Sequence, residues 1–164
     1  MIILGIDPGL AIVGYGLIKY SGSIIKMLEY GCIKTSSKTH LPQRLEIIYS
    51  ELTDIIREYR PDEVAIEELF FNKNAKTAIN VGQARGIEIL ACVHQGIDLY
   101  EYTPLQVKQA IVGYGRADKN QIQETVKLLL NMKSIPKPDD AADALAIAIC
   151  HSSTQRFKEE FKLK

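Results

Sequence analysis

Four acids in this chain stand where an acid is costly or conspicuous. Asp143 opens onto Ala144-Leu145-Ala146-Ile147-Ala148-Ile149, a run apolar on every side of a helix and therefore buried. Asp140, three residues earlier, shares its helical face. Asp7 follows the apolar stretch 2–6 at a Pro-Gly turn, and Glu67 follows Val64-Ala65-Ile66. Taken singly, three of these positions have ordinary explanations. Asp7 suits a turn, Glu67 an exposed strand end, and Asp139 or Asp140 a helix cap. Asp143 does not, because an ionised carboxylate among apolar neighbours needs a cation or full hydrogen bonding. Adjacent strand ends and the start of a helix laid on that sheet can bring all four acids to one point. There they repel one another unless cations intervene. Hard oxygen donors with no His or Cys favour Mg²⁺ or Mn²⁺. Two such ions roughly 4 Å apart are a known device for in-line phosphodiester displacement.

The elements that must position these acids follow from periodicity and turn signals. Residues 2–6, 12–20 and 24–34 are β-rich runs separated by Asp7-Pro8-Gly9 and Ser21-Gly22-Ser23, which predicts an antiparallel meander. Leu45, Ile48, Leu52, Ile55, Ile56 and Tyr59 recur at helical spacing over 42–60, and Pro61-Asp62 ends that helix. Residues 64–66 form a buried strand core. A second long helix covers 75–95, with Ile79, Gly82, Gly86, Ile89, Leu90 and Val93 on or near one stripe. A strand over 98–102 leads to Thr103-Pro104, the cap and first-turn order of a helix that Gly113-Tyr114-Gly115 breaks. Helices over 118–132 and from about 139 follow. The order β-β-β-α-β-α-β-α-α-α predicts an α/β fold, a mixed five-stranded sheet with helices on its faces. At 164 residues one domain is expected, over 1–155, with 156–164 as a charged tail and frayed helical end.

Composition limits the function classes only loosely. Hydrophobic content is 46%, charged content 24% and formal net charge zero, so the bulk charge gives nucleic-acid binding no support. The three cysteines are widely spaced and form neither a zinc motif nor a disulfide framework, which suits reduced thiols in the cytoplasm. No run approaches the roughly 18 apolar residues of a membrane span.

Five segments together resemble the RuvC family of Holliday-junction resolvases. They are Ile6-Asp7-Pro8-Gly9, Ala65-Ile66-Glu67, Gly82-Gln83-Ala84-Arg85-Gly86, Val107-Lys108-Gln109 and Asp140-Ala141-Ala142-Asp143-Ala144-Leu145-Ala146. They occur in the family's order and at its spacings, over about residues 2–151. The resemblance implies a ribonuclease-H-like fold, a homodimer and Mg²⁺-dependent endonuclease action on four-way junction DNA in recombination and repair. It implies paired symmetric nicks that leave 5′-phosphate and 3′-hydroxyl ends, and cooperation with a RuvA–RuvB branch-migration complex. Asp7, Glu67, Asp140 and Asp143 match the family's catalytic, metal-binding positions. Two Mg²⁺ per subunit are implied, with Mn²⁺ able to substitute. Asp139 beside Asp140 and Glu68 beside Glu67 leave neighbouring alternatives. Adjacent strand residues face opposite ways, so only one of Glu67 and Glu68 can enter the site, and Glu67 is the choice.

Candidate DNA-binding groups are Phe70, Lys73, Lys76, Arg85, Lys108 and Lys119. Phe70 matches a family position that stacks on a base near the crossover, and stacking is worth roughly 1–3 kcal/mol per base. Lys108 and Lys119 match lysines near the scissile phosphate. The polar loop from Ser36 to His40 is a further candidate contact with a DNA arm. The apolar surplus on the 75–95 helix places the dimer interface there, with Ile89 as the position to test. Other readings are a junction-binding module without catalysis and an RNA nuclease of the same fold. Gly5-Ile6-Asp7-Pro8-Gly9 also resembles the first phosphate loop of actin-like and sugar-kinase ATPases, but those need a second lobe.

Overall fold

The computed structural model describes residues 1–69 and 75–164, the side chains at 75–77 excepted. Strands β1 (Ile2–Asp7), β2 (Ile12–Ser21) and β3 (Ile24–Lys34) form the expected antiparallel meander. Helix α1 (Leu41–Tyr59), β4 (Glu63–Glu67), α2 (Ala75–His94) and β5 (Asp98–Tyr102) follow. Helices α3 (Pro104–Val112), α4 (Lys119–Leu129) and α5 (Asp139–Ser153) complete the order. The five-stranded sheet runs β3-β2-β1-β4-β5, with β4 parallel to β1 and β5 parallel to β4. β1 is thus the central strand, and Asp7 sits at its carboxyl end.

Strand alternation divides the interior into two cores, one on each face of the sheet. Leu4, Ile6, Val64, Ile66 and Leu99 pack with α1 and α2 residues such as Ile48, Leu52, Ala84 and Ala91. Ile3, Ala65, Tyr100 and Tyr102 face α3, α4 and the apolar run of α5. Parity therefore puts Asp7 on the α5 side with Ile3 and Gly5. The same parity puts Glu67, and not Glu68, on that side with Glu63 and Ala65. The turn chemistry matches the residues: Thr103 caps α3 in a reciprocal box with Gln106, and Asp118 caps α4 with Gln121. Gly113 closes α3 at φ 82°, a left-handed conformation.

Helix α5 lies unusually close to β1 and β2 because both surfaces lack side-chain bulk. A Cβ on Gly5 would overlap the Ala144 carbonyl oxygen, and one on Gly14 would overlap that of Asp140. One on Gly16 would press on Leu145. Three sheet glycines and the alanines of α5 thus bring the helix backbone down onto the strands, and the helix carries Asp140 and Asp143 with it. Gly5→Ala should force α5 outward and destabilise the fold by about 1–3 kcal/mol, the usual range for overpacking. In a domain of this size each kcal/mol lowers the melting temperature by roughly 2–4 °C. An unchanged thermal melt would show that α5 is not seated so tightly.

The chain end departs from expectation. Instead of a frayed helical end, residues Gln155–Phe161 form a 3₁₀ turn. The segment beyond it docks on β5, where Tyr100 bridges Lys162 and Leu163 N–H donates to the Leu99 carbonyl. A buried polar cluster holds this docking. His151 lies 2.8 Å from Glu63 through Nε2 and 2.7 Å from the Tyr102 hydroxyl through Nδ1, and Lys158 pairs with Glu63. The charges of the tail are therefore spent partly on the fold itself, which periodicity alone does not reveal.

Candidate active site

Three elements deliver the four acids to the same edge of the sheet. β1 ends at Asp7 and its parallel neighbour β4 at Glu67, each one residue beyond the paired Ile6 and Ile66. The first turn of α5 brings Asp140 and then Asp143 over these strand ends. Neither acid caps the helix: Pro138 occupies the cap position, and Asp139 and Asp140 lie inside the first turn, where the helix dipole favours negative charge.

Electrostatics tie the group together. Burial, followed by the charges of Glu67, Asp143 and Asp140, pushes the Asp7 carboxyl up to about 8. Burial and Asp143 push Glu67 up to about 7, with Lys108 acting in the opposite direction. Burial likewise raises Asp143, with Lys119 opposing it. Asp139 behaves differently. Lys137 first, and Lys119 with it, hold its carboxyl down at about 2. It lies 2.7 Å from Lys137 and 3.3 Å from Lys119, and of the pair it is Asp140 whose charge acts on Asp7. Glu68 donates its backbone N–H to the Tyr102 carbonyl, and its charge is not among those acting on Asp7 or Glu67.

Fully ionised, the four acids would carry more negative charge than Lys108 and Lys119 neutralise. Lys119 offers one ammonium, 3.2 Å from Asp143 and 3.3 Å from Asp139. Among the described residues no three His, Cys, Asp or Glu side chains close on a single point as a finished metal cage. The donor chemistry nevertheless fits a hard divalent cation: oxygen ligands only, on two rigid strand ends and one helix turn, with burial and neighbouring acids disfavouring ionisation of Asp7 and Glu67 when no cation is bound. A cleft of about 220 Å³ opens beside the acids, lined by Glu67, Asp143, Lys108 and Lys119 among others. α3 supplies Lys108 and the start of α4 supplies Lys119, so the two capping boxes also set where the helix backbones carrying these lysines begin.

Other residues singled out in the sequence are placed differently. Phe70 and Lys73 lie outside the described residues, as does the side chain of Lys76. Arg85 is a departure from expectation as a DNA-binding group. It is largely buried, its guanidinium pairs with Glu101, and its Nε donates to the Glu67 carbonyl at 3.3 Å. Glu88 was not anticipated. It is fully buried on α2, accepting the Gly9 amide at 3.3 Å. A helical signal was available: Glu88 falls four residues after Ala84 and three before Ala91, on the inner face of α2.

A mixed sheet of this order, with acids meeting where its central strand and last helix come together, defines the ribonuclease-H-like class of nucleases. Within that class the chain belongs to the RuvC family of crossover junction endodeoxyribonucleases, whose family model matches residues 3–151. The chain is 64% identical to the crossover junction endodeoxyribonuclease RuvC of Finegoldia magna over 158 residues, 96% of each chain. It is 62% identical to that of Alkaliphilus oremlandii over 164 residues, all of both chains. T. thermophilus RuvC, solved in complex with Holliday junction substrate, superposes with a TM-score of 0.91 at 32% identity, covering 99% of this chain and 100% of that one.

Proposed function

We propose that this protein resolves four-way DNA junctions by metal-dependent hydrolysis, as a homodimer in which each subunit nicks one of two like-polarity strands. What supports the reading is the placement of Asp7 and Glu67 at adjacent strand ends, with Asp140 and Asp143 on the start of α5 laid over β1 and β2, and Lys108 and Lys119 lining the neighbouring cleft with Glu67 and Asp143. The four carboxylates would hold Mg²⁺, two ions per subunit, with Mn²⁺ as a substitute. Bound there, the metal supplies a lowered water pKa and charge stabilisation at the leaving oxygen. Asp7, at the end of the central strand beside Glu67 and α5, would be the central ligand of the set. Lys108 and Lys119 offer positive charge to the phosphate being cut, as point charges rather than as forked donors. His94 and His151 are engaged elsewhere, with Tyr49 and with Glu63 and Tyr102, so the reading gives neither a part in the chemistry. The products are 5′-phosphate and 3′-hydroxyl ends. Action in the cytoplasm with a RuvA–RuvB branch-migration complex belongs to the same reading. Among the described residues no helix is long and apolar enough to cross a membrane.

The direct test is a synthetic mobile four-way junction incubated with Mg²⁺, then with Mn²⁺. Paired, symmetric, ligatable nicks support resolution. Binding without nicks in either metal would make the chain a junction-binding module.

The homodimer reading rests on α2. Ile79, Leu90 and Val93 are 62%, 39% and 54% exposed at helical spacing, while Ile89 is half-buried against the α1 side. Leu90 is thus a cleaner probe than Ile89. Leu90→Asp should yield monomers with an unchanged melting profile at high protein dilution, because its side chain adds little to the subunit's own core. Sedimentation as a wild-type dimer would move the interface off α2.

A further inference from the structure

Glu88 is a fully buried carboxyl that the proposed chemistry does not use. Its Oε1 accepts the Gly9 amide at 3.3 Å, and its Oε2 has no partner among the described residues. An unsatisfied buried polar atom is destabilising, so an apolar residue would serve the core better at this position. Gly9 is held equally tightly from its other side, where an added Cβ would overlap the Ile12 carbonyl oxygen. The turn that follows Asp7 therefore has one backbone donor fixed by a side chain reaching across from α2. One helical turn earlier, on the same helix, Arg85 donates to the carbonyl of Glu67. α2 thus grips the ends of both strands that carry strand-borne acids, and it does so from the sheet face opposite α5.

We propose that Glu88 is a positioning residue that holds the Asp7-Pro8-Gly9 turn through the Gly9 amide, so that the Asp7 carboxylate is presented to metal and to the acids of α5. The proposal rests on the metal-dependent reading given above. Burial pushes the Glu88 carboxyl up to about 8, with the Asp7 charge adding to the rise, so the side chain acts as a neutral acceptor near neutral pH. A glutamine keeps that acceptor, and a leucine of similar volume removes it.

The test compares wild type, Glu88→Leu, Glu88→Gln and Asp7→Asn on one mobile junction. Four quantities are read: single-turnover nicking, the Mg²⁺ concentration at half-maximal rate, junction affinity in EDTA, and the Mg²⁺-induced rise in melting temperature. Glu88→Leu should nick roughly 10–100-fold more slowly, the usual loss when a group that orients a metal ligand is removed. Its Mg²⁺ requirement should rise in both the rate and the melting experiments. Its junction affinity should be unchanged, and it should melt higher than wild type in EDTA. Glu88→Gln should restore rate and Mg²⁺ response. A leucine variant that nicks like wild type, or glutamine and leucine variants equally impaired, would overturn the proposal. So would a leucine variant that melts lower or does not fold, because Glu88 would then be part of the core and nothing more. Wild type that fails to nick, or Asp7→Asn that nicks normally, would instead overturn the underlying metal-dependent reading.

Discussion

Asp7→Asn should abolish junction cleavage and, in EDTA at pH 8, melt at a higher temperature than wild type. The two effects have one cause. Asp7 is the acid most affected by its neighbours, raised to about 8 by burial and by Glu67, Asp143 and Asp140 in turn. An amide keeps the shape and one oxygen but removes the charge a divalent ion needs. Losing an outer group that merely orients a ligand costs roughly 10–100-fold, so losing the central ligand should cost more. In stability the sign reverses. The folded values of Asp7 and Glu67 both lie above their ordinary values of 3.8 and 4.5. The native state therefore binds more protons than the unfolded chain between about pH 4 and pH 8, and metal-free stability falls as pH rises through that window. Each pKa unit corresponds to about 1.4 kcal/mol. Asp7→Asn removes the larger contribution, so its advantage should shrink toward pH 5 and narrow again when Mg²⁺ is added to wild type. Thermal melts at both pH values, with EDTA and with Mg²⁺, check this. A variant that melts below wild type in EDTA at pH 8 would mean that the acids are not in mutual repulsion.

The legible parts of this structure are those governed by local periodicity. Apolar runs at 2–6 and 64–66 announced strands ending at Asp7 and Glu67, and strand parity separated Glu67 from Glu68, but only the parallel register of β1 and β4 shows that Asp7 and Glu67 share a face. The apolar run after Asp143 announced a buried helix, and Gly5, Gly14 and Gly16 explain how close it comes. What periodicity could not provide was the destination of side chains with two credible partners. Arg85 reads as a free basic group until the β5 residue Glu101 is seen to face α2. Asp139 and Asp140 are equivalent in sequence, yet Lys137 pairs with the first, and it is the second whose charge acts on Asp7. The apolar stripe of α2 was visible, but its direction was not. Ala84, Glu88 and Ala91 face inward, leaving Ile79, Leu90 and Val93 outside. Small residues on the inner face let α2 pack closely, and this left the bulky ones for solvent or a partner. The docking of the chain end was hidden for a different reason. Its partners, Glu63, Tyr100 and Tyr102, are distant in sequence and polar in part, so no periodic signal links them.

Lys119→Ala should lower single-turnover cleavage by about 10²–10³-fold, the range found when one preorganised charge-stabilising group is removed from a reacting centre. Folding should hardly change. Lys119 is 53% exposed, and an ion pair at that exposure contributes little to stability. Two roles are open to this ammonium, and the Mg²⁺ dependence separates them. It lies 3.2 Å from Asp143, so without metal it is the cation that partly neutralises the cluster. If neutralisation were its whole contribution, saturating Mg²⁺ would replace it and restore the rate. If it instead supplies charge to the phosphate being cut, saturation should leave the rate low. The second outcome is expected, because Lys119 lines the cleft together with Lys108 and can turn from Asp143 toward a bound phosphate. Junction affinity should fall only modestly, by the share of a single phosphate contact, and with a slightly shallower dependence on salt. Lys108→Ala should behave similarly, and the double variant should lose less than the product of the two single losses if both lysines serve one phosphate. Unchanged cleavage with both replaced would remove the lysines from the chemistry altogether, leaving the four acids and their metal to carry it.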